Sequence, residues 1–290
     1  MLARAGDGLP SRVIPLLAPQ VLGLDALASA FAFGAAELRL LLPARRGALR
    51  DSWEREVGLL DAVLQQLGYG EGRIGFIETD DPFILGDELR ALPVRAGPAV
   101  ATVMPTGRKR DVTLQALDAL AALAPAPLPV AALPAGAPFG RIHVADGCTL
   151  CLSCVSACPT SALRDDPEKP RLRFIENNCV QCGLCASTCP ENVITLEPRI
   201  VFGQARRTLE TLREAEPALC ISCSKPFGVK ASIDRVAEKL VGQHWMFSDP
   251  SVIERIRMCG DCRMRAQVRQ GLDPYAAGPR PATRTVDDYR

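Results

Sequence analysis

The first 147 residues of this chain contain no cysteine, although the whole chain carries 12. Thiol chemistry is thereby excluded from the N-terminal half. Histidine is almost missing as well: His143 and His244 are the only two. His143 falls in a strand-like run and His244 beside Trp245, and both read as packing or surface residues rather than ligands. Aromatic residues make up 5% against 48% hydrophobic overall, so a core must be built mainly from Leu, Ala, Val and Ile. The formal net charge is only +1, which excludes a nucleic-acid partner held by bulk electrostatics. The short basic run Arg108-Lys109-Arg110 reads as a solvated turn. No G-x-G-x-x-G follows a strand, and no G-x-x-x-x-G-K-[ST] occurs. The glycines at Gly68, Gly70 and Gly72 follow a helical pattern and precede a strand, so they read as a turn. The opening residues lack the apolar core of a signal peptide. The Leu/Ala-rich stretch 21–43 is broken by Asp25, Glu37 and Arg39, so no membrane span is expected there. Neither a catalytic triad nor a carboxylate pair nor a metal site with an open position is recognisable, so an enzyme with its own active site has no support.

What the chain does have is a dense block of cysteines. One run reads Cys148-Thr-Leu-Cys151-Leu-Ser-Cys154-Val-Ser-Ala-Cys158-Pro159. A second reads Cys179-Val-Gln-Cys182-Gly-Leu-Cys185-Ala-Ser-Thr-Cys189-Pro190. The spacing C-x2-C-x2-C-x3-C-P thus occurs twice in tandem. Three cysteines two residues apart can aim their sulfurs into one tight loop, and inward N–H groups of such a loop offset negative charge. Zinc sites use two pairs rather than three plus one, and disulfides need an oxidising compartment. Grouping of all 12 cysteines in C-x-x-C arrays fits a reducing cytoplasm and metal binding.

Residues 139–200 resemble the bacterial-type dicluster ferredoxins, which carry two [4Fe–4S] clusters on this spacing. In that family the fourth cysteine of each run ligates the other cluster. The resemblance implies one cubane on Cys148, Cys151, Cys154 and Cys189, and a second on Cys179, Cys182, Cys185 and Cys158. Around them the pattern predicts strands at Gly140–Ala145 and Pro170–Glu176, a brief helix over Pro159–Leu163, and a closing strand at Asn192–Glu197.

The N-terminal part alternates strand and helix patterns. Strands are expected at Arg12–Ala18, Glu37–Leu42, Arg73–Glu78 and Val100–Met104. Helices are expected at Leu24–Phe33, Leu49–Leu67, Phe83–Leu92 and Val112–Leu123. In the long helix, Val57, Leu60, Leu64 and Leu67 form the apolar stripe and Gly68 the stop. Alternation of this kind predicts a small α/β layer with a parallel sheet. The segment Arg12–Asp80 resembles the delta-subunit domain of methyl-viologen-reducing hydrogenases. The features that carry the resemblance are Arg12–Ala18, Phe33-Gly-Ala-Ala-Glu-Leu-Arg-Leu-Leu-Leu42, the helix with Arg55, Val57, Leu60 and Leu64, Leu67-Gly68, and Arg73–Ile77. That family relays electrons between a hydrogenase or dehydrogenase and a larger complex. Its members usually carry cysteine after the second strand; Pro43 stands there instead, so the family's metal site is absent. An unrelated α/β docking domain is the alternative. The layer opens one strand in and is expected to be incomplete.

Prolines at positions 125, 127, 129, 134 and 138 predict a semi-rigid linker. After the cysteine block, Val201–Ala215 reads as a charged helix. Cys220-Ile-Ser-Cys223 and Cys259-Gly-Asp-Cys262 then form a third array, flanking a helix over Ile233–Leu240. Paired knuckles of this kind are ordinarily a zinc site, with an iron–sulfur cluster or a dithiol redox pair as alternatives. The tail 273–290 is expected to be loose or partner-docking.

The expected architecture is an α/β N-terminal layer (1–124), a Pro/Ala linker (125–138), an α+β dicluster ferredoxin-like domain (139–200), a small helical four-cysteine metal module at the C-terminal end (201–272), and the tail. Two clusters without a substrate motif imply an iron–sulfur electron-transfer protein serving a partner redox enzyme. The resemblances imply a formate dehydrogenase or hydrogenase as that partner. The competing reading is an assembly or regulatory protein whose clusters act as sensors.

Overall fold

The computed structural model describes residues 8–15, 23–44, 49–240 and 250–269. It is mixed α/β. In the N-terminal part, helix α1 (Leu24–Ala32), strand β1 (Leu38–Leu42), helix α2 (Leu49–Gln66), strand β2 (Ile74–Glu78), helix α3 (Pro82–Ala91) and helix α4 (Lys109–Ala122) follow in order. Each has a local cause. Asp81 caps α3 by accepting from the Phe83 N–H at 2.8 Å, with Pro82 in the first turn. The expected stripe of α2 is buried at Val57, Leu60, Leu64 and Leu67, and Gly68 stops the helix at φ +82°. Strands β1 and β2 pair in parallel, Leu38 beside Ile74 through Leu42 beside Glu78.

Two of the expected strands differ. Around Arg12 the chain turns, with the Val13 N–H bonded to the Pro10 carbonyl, and Ile14 is exposed; residues 16–18 lie outside the described residues. Arg12 itself donates to the carbonyls of Leu89, Arg90 and Leu92, which α3 leaves open at its end. Val100–Met104 is irregular. Among the described residues, the backbone of this run makes one hydrogen bond, from the Ala101 N–H to the Ala32 carbonyl at 2.8 Å, while Val100 and Met104 face outward. β-branched residues do not make a strand without a paired edge.

The Pro-rich stretch is not a free linker but packs into the fold. It contains strand β3 (Val130–Ala132), which pairs antiparallel with strand β7 (Ile194–Val201), as does strand β4 (Gly140–Val144) on the other side of β7. Ala131, Phe139 and Ile200 thereby join the buried cluster formed by α1, α2 and α4. Between β4 and β7 lie helix α5 (Ser153–Ala157), strands β5 (Leu163–Arg164) and β6 (Arg171–Phe174), and helix α6 (Leu184–Ser187). The segment expected to be a helix after Val201 is instead a 3-10 turn (Gly203–Arg207) and strand β8 (Glu210–Glu214), which pairs with β6. In β8, Leu212 packs against the buried cluster while Thr211 and Glu214 are exposed, so the strand is half-buried.

The C-terminal part has a hairpin of strands β9 (Pro217–Leu219) and β10 (Pro226–Val229), then helices α7 (Lys230–Leu240), α8 (Pro250–Ile256) and α9 (Gly260–Arg269). In α7, Ala237 is buried and Val236 is largely exposed, so the inward face is rotated from the expected Ile233, Val236, Leu240 stripe. The tail and His244 lie outside the described residues. Among those residues, no helix is long and apolar enough to cross a membrane.

Candidate functional site

The two cysteine runs fold into two hollows of similar size, about 350 and 340 Å³ including their mouths. The first is lined by Cys179, Cys182 and Cys185 together with Cys158. Cys148, Cys151 and Cys154, together with Cys189, line the second. Each hollow thus takes three cysteines from one run and the fourth from the other. The helices lie inside the runs rather than after them: α5 ends at Ala157, so Cys158 follows a helix instead of opening the one expected over Pro159–Leu163.

A backbone repeat underlies this arrangement. Leu150 and Leu152 have φ of 53° and 60°, and Gln181 and Gly183 have 53° and 78° at the matching places of the second run. Ser161 and Asn192 match in the same way, at 52° and 53°. Residues on either side of Cys151 and Cys182 are therefore left-handed. Alternation of that kind turns successive N–H groups toward one centre, as in an anion-binding nest. A left-handed leucine is strained by roughly 1–2 kcal/mol. The sequence signals this need only at Gly183; nothing marks Leu150 or Leu152.

Electrostatics set the terms on which these thiols can ionise. Burial pushes the Cys154 thiol up to about 11, reinforced by the neighbouring sulfurs of Cys148, Cys151 and Cys185. Burial also raises Cys179 and Cys185. Such thiols stay protonated at neutral pH unless a cation displaces the proton, which is the ordinary linkage of metal binding to thiol ionisation. Cys151 is exposed and is lowered by its hydrogen bond with Ser153. A cationic inorganic core held by four thiolates fits both donor sets.

Gln181 closes the first hollow from behind. Its Nε2 donates to the Arg141 carbonyl at 3.0 Å and lies 3.5 Å from the Cys179 sulfur. Gly140 makes room for it, because a Cβ there would fall 2.6 Å from the Gln181 amide and 2.3 Å from the Glu197 carbonyl. Gly140→Ala is therefore expected to destabilise the protein by about 1–3 kcal/mol through overpacking, measured by anaerobic denaturant titration.

The third array also converges. Cys220 and Cys223 sit in the β9–β10 turn, and Cys259 and Cys262 at the start of α9. The four sulfurs all lie within 4.8 Å of one another, with Cys223 and Cys259 3.8 Å apart. The Ile221 N–H bonds to the Arg257 carbonyl and ties the knuckles together. Burial opposes ionisation of Cys220, but N–H groups of Cys259, Cys223 and Ser222 outweigh it and bring the thiol to about 6. The module touches the second hollow: Ser232 Oγ donates to the Thr149 carbonyl at 3.3 Å. His143 pairs with Glu197 at 2.5 Å on the exposed side of β4, away from the thiols.

Sequence reading missed Arg110. It is not in a solvated turn. It is half-buried in the first turn of α4, and its guanidinium donates to the carbonyls of Pro138, Asn177 and Cys179 at 2.7, 3.0 and 2.7 Å. The same group stacks over Phe139, 4.5 Å from the ring centroid. Those partners lie up to 69 residues away along the chain, so no local signal could have pointed to them.

Comparison with known families bears on this same region. The family model of the 4Fe-4S dicluster domain matches residues 147–193. No curated protein matches the chain. The match spans both cysteine runs and, with their spacing, fits a ferredoxin-like domain that binds [4Fe–4S] clusters and has a general role in iron–sulfur electron transfer.

Proposed function

We propose that the chain is an electron relay that passes charge through two [4Fe–4S] clusters to or from a partner redox enzyme. The observation that carries this reading is the exchange of Cys158 and Cys189 between the two hollows. One cubane would be held by Cys148, Cys151, Cys154 and Cys189, the other by Cys179, Cys182, Cys185 and Cys158. When bound, each cubane supplies a one-electron couple. The chain's own part is to hold the thiolates, screen their charge with inward N–H groups, and keep the two sites adjacent. Cys151 and Cys182 are exposed and offer each site an edge toward a partner.

The resemblance of Arg12–Asp80 to the hydrogenase delta-subunit domain favours a hydrogenase or a formate dehydrogenase as that partner. Residues 1–124 would dock it, 139–200 would form the relay, and 201–272 would be a metal-stabilised module. Zinc suits the third site. A tetrahedral ion with bonds of about 2.3 Å to sulfur separates its sulfurs by roughly 3.8 Å, and Cys223 and Cys259 already stand at that separation. The cysteine usage favours a reducing cytoplasm.

A sensor or assembly role is the second reading. It is favoured by the contacts of Ser232 and Arg110 with the two cysteine loops, through which loss of a cluster would reach the flanking parts. Anaerobic purification with metal analysis and low-temperature EPR tests both readings. The expected result is about eight irons and one zinc per chain, with reversible reduction. About twelve irons would make the third site a cubane. Irons that do not undergo reversible reduction would favour the sensor.

A further inference from the structure

The two hollows are alike in cysteines and in size but not in their charged surroundings. Behind the first lies Arg110, bonded to the carbonyl of Cys179, a residue only 8% exposed. Arg206, close by, is neutralised by Asp118 at 2.6 Å, so it adds little net charge. Asp111 adjoins Arg110 and faces the Arg108 N–H at the helix start. The second hollow has a counterpart in Arg213, which donates to the Asp146 carbonyl at 2.8 Å, but the Asp146 carboxylate neutralises it, also at 2.8 Å. That hollow is lined by Glu191 as well, so its surroundings hold no uncompensated cation among these residues. The Thr149 carbonyl, adjacent to Cys148, accepts from a neutral serine hydroxyl.

Reduction of a [4Fe–4S] core adds one electron to a site that four thiolates already make anionic. A fixed cation nearby favours the reduced state, and an anion disfavours it. Net charge and hydrogen bonding are among the determinants of cluster potential. Arg110 is half-buried, so its field is screened less than that of a fully exposed cation.

Building on the two-cluster reading, we infer that Arg110 is a potential-setting residue: its charge makes the cluster of Cys158, Cys179, Cys182 and Cys185 the more easily reduced of the two. The electron acquired first then rests on the cluster beneath α4, and the cluster beside the C-terminal module is the low-potential end of the relay. Arg110 takes no part in ligation and gains or loses no proton. It acts only on the equilibrium of one electron arriving from an external donor.

The test is a potentiometric titration followed by EPR on the full chain, with iron counted in every sample. Arg110→Gln removes the charge and keeps a donor. It is expected to lower the equilibrium constant for reducing one cluster about tenfold, which for one electron is about 59 mV, and to leave the other unmoved. Arg110→Lys keeps the charge and loses the fork, and is expected to hold the native potential. Eight irons with both potentials unmoved in Arg110→Gln would overturn the inference while leaving the two clusters standing. So would a drop in Arg110→Lys as large as in Arg110→Gln. Should Arg110→Gln fail to hold iron, the lysine variant decides alone: a native potential upholds the role of charge, a lowered one refutes it. A native chain without iron would instead sink the two-cluster reading itself.

Discussion

Cys158→Ala is expected to abolish the same cluster signal that Cys182→Ala abolishes, and to spare the one lost in Cys151→Ala. Along the chain, Cys158 is four residues from Cys154 and 24 from Cys182. Proximity in sequence would put it with Cys154. The fold puts it in the hollow of Cys179, Cys182 and Cys185, because α5 ends at Ala157 and the chain then turns toward β5. Iron should fall from about eight toward about four per chain in each variant, since a cubane needs four thiolates. The pairing of phenotypes is the informative part. Cys182 and Cys151 are both exposed, so their removal disturbs packing little and gives clean reference spectra. If Cys158→Ala instead matched Cys151→Ala, each run would hold its own cluster and the crossed ligation would be wrong. The crossing has a mechanical consequence too. One cluster cross-links segments 21–27 residues apart and the other segments 35–41 apart, so losing either should lower the unfolding midpoint of the whole middle region, much as cutting a covalent staple would.

The spacing of the cysteines was legible because ligand chemistry is written locally. Three thiols two residues apart need one tight loop wherever the loop sits. The exchange of Cys158 and Cys189 was not written there; it followed from likeness to a family, and the hollows repeat the same grouping. The helices α1, α2, α3 and α4 were legible from periodicity, since Leu60, Leu64, Leu117 and Leu120 fall at helical intervals and are buried. Where partners were distant, reading failed. Val100–Met104 has the composition of a strand, but among the described residues it pairs with no strand, and its Ala101 N–H bonds to the end of α1 instead. Ala131, within a Pro-rich stretch, is recruited by the edge of β7. Val201–Ala215 has charge enough for a surface helix, yet β6 presents an edge that draws Glu210–Glu214 into a sheet. Arg110 reads as part of a solvated turn and Arg206 falls within a stretch that reads as a charged helix, because their partners Cys179 and Asp118 lie 69 and 88 residues away along the chain.

Those two arginines belong to one polar seam, and Asp118→Ala is expected to open it. Asp118, on α4, receives both arms of the Arg206 guanidinium, Nη1 at 2.6 Å and Nη2 at 2.7 Å. It also accepts the Gly203 N–H at 2.8 Å. Arg206 Nε then reaches the side chain of Asn177, whose carbonyl accepts from Arg110. Helix α4, the turn after β7 and the loop leading to Cys179 are thus joined by charge-assisted hydrogen bonds. Arg206 is 3% exposed. Removing its carboxylate strands a buried cation, and the expected loss is about 3 kcal/mol, the low end for a broken buried pair because Asp118 is itself partly open to water. Denaturant titration of the anaerobic, iron-loaded protein measures it. The double replacement Asp118→Leu with Arg206→Met should cost less than Asp118→Ala alone, since it leaves no charge without a partner. A single-variant loss below about 0.5 kcal/mol would place this pair with ordinary surface bridges. Salt provides an independent check. The exposed pair of Lys230 and Glu216 should weaken in molar salt, whereas the Arg206–Asp118 contribution should largely survive, because mobile ions cannot enter to screen it.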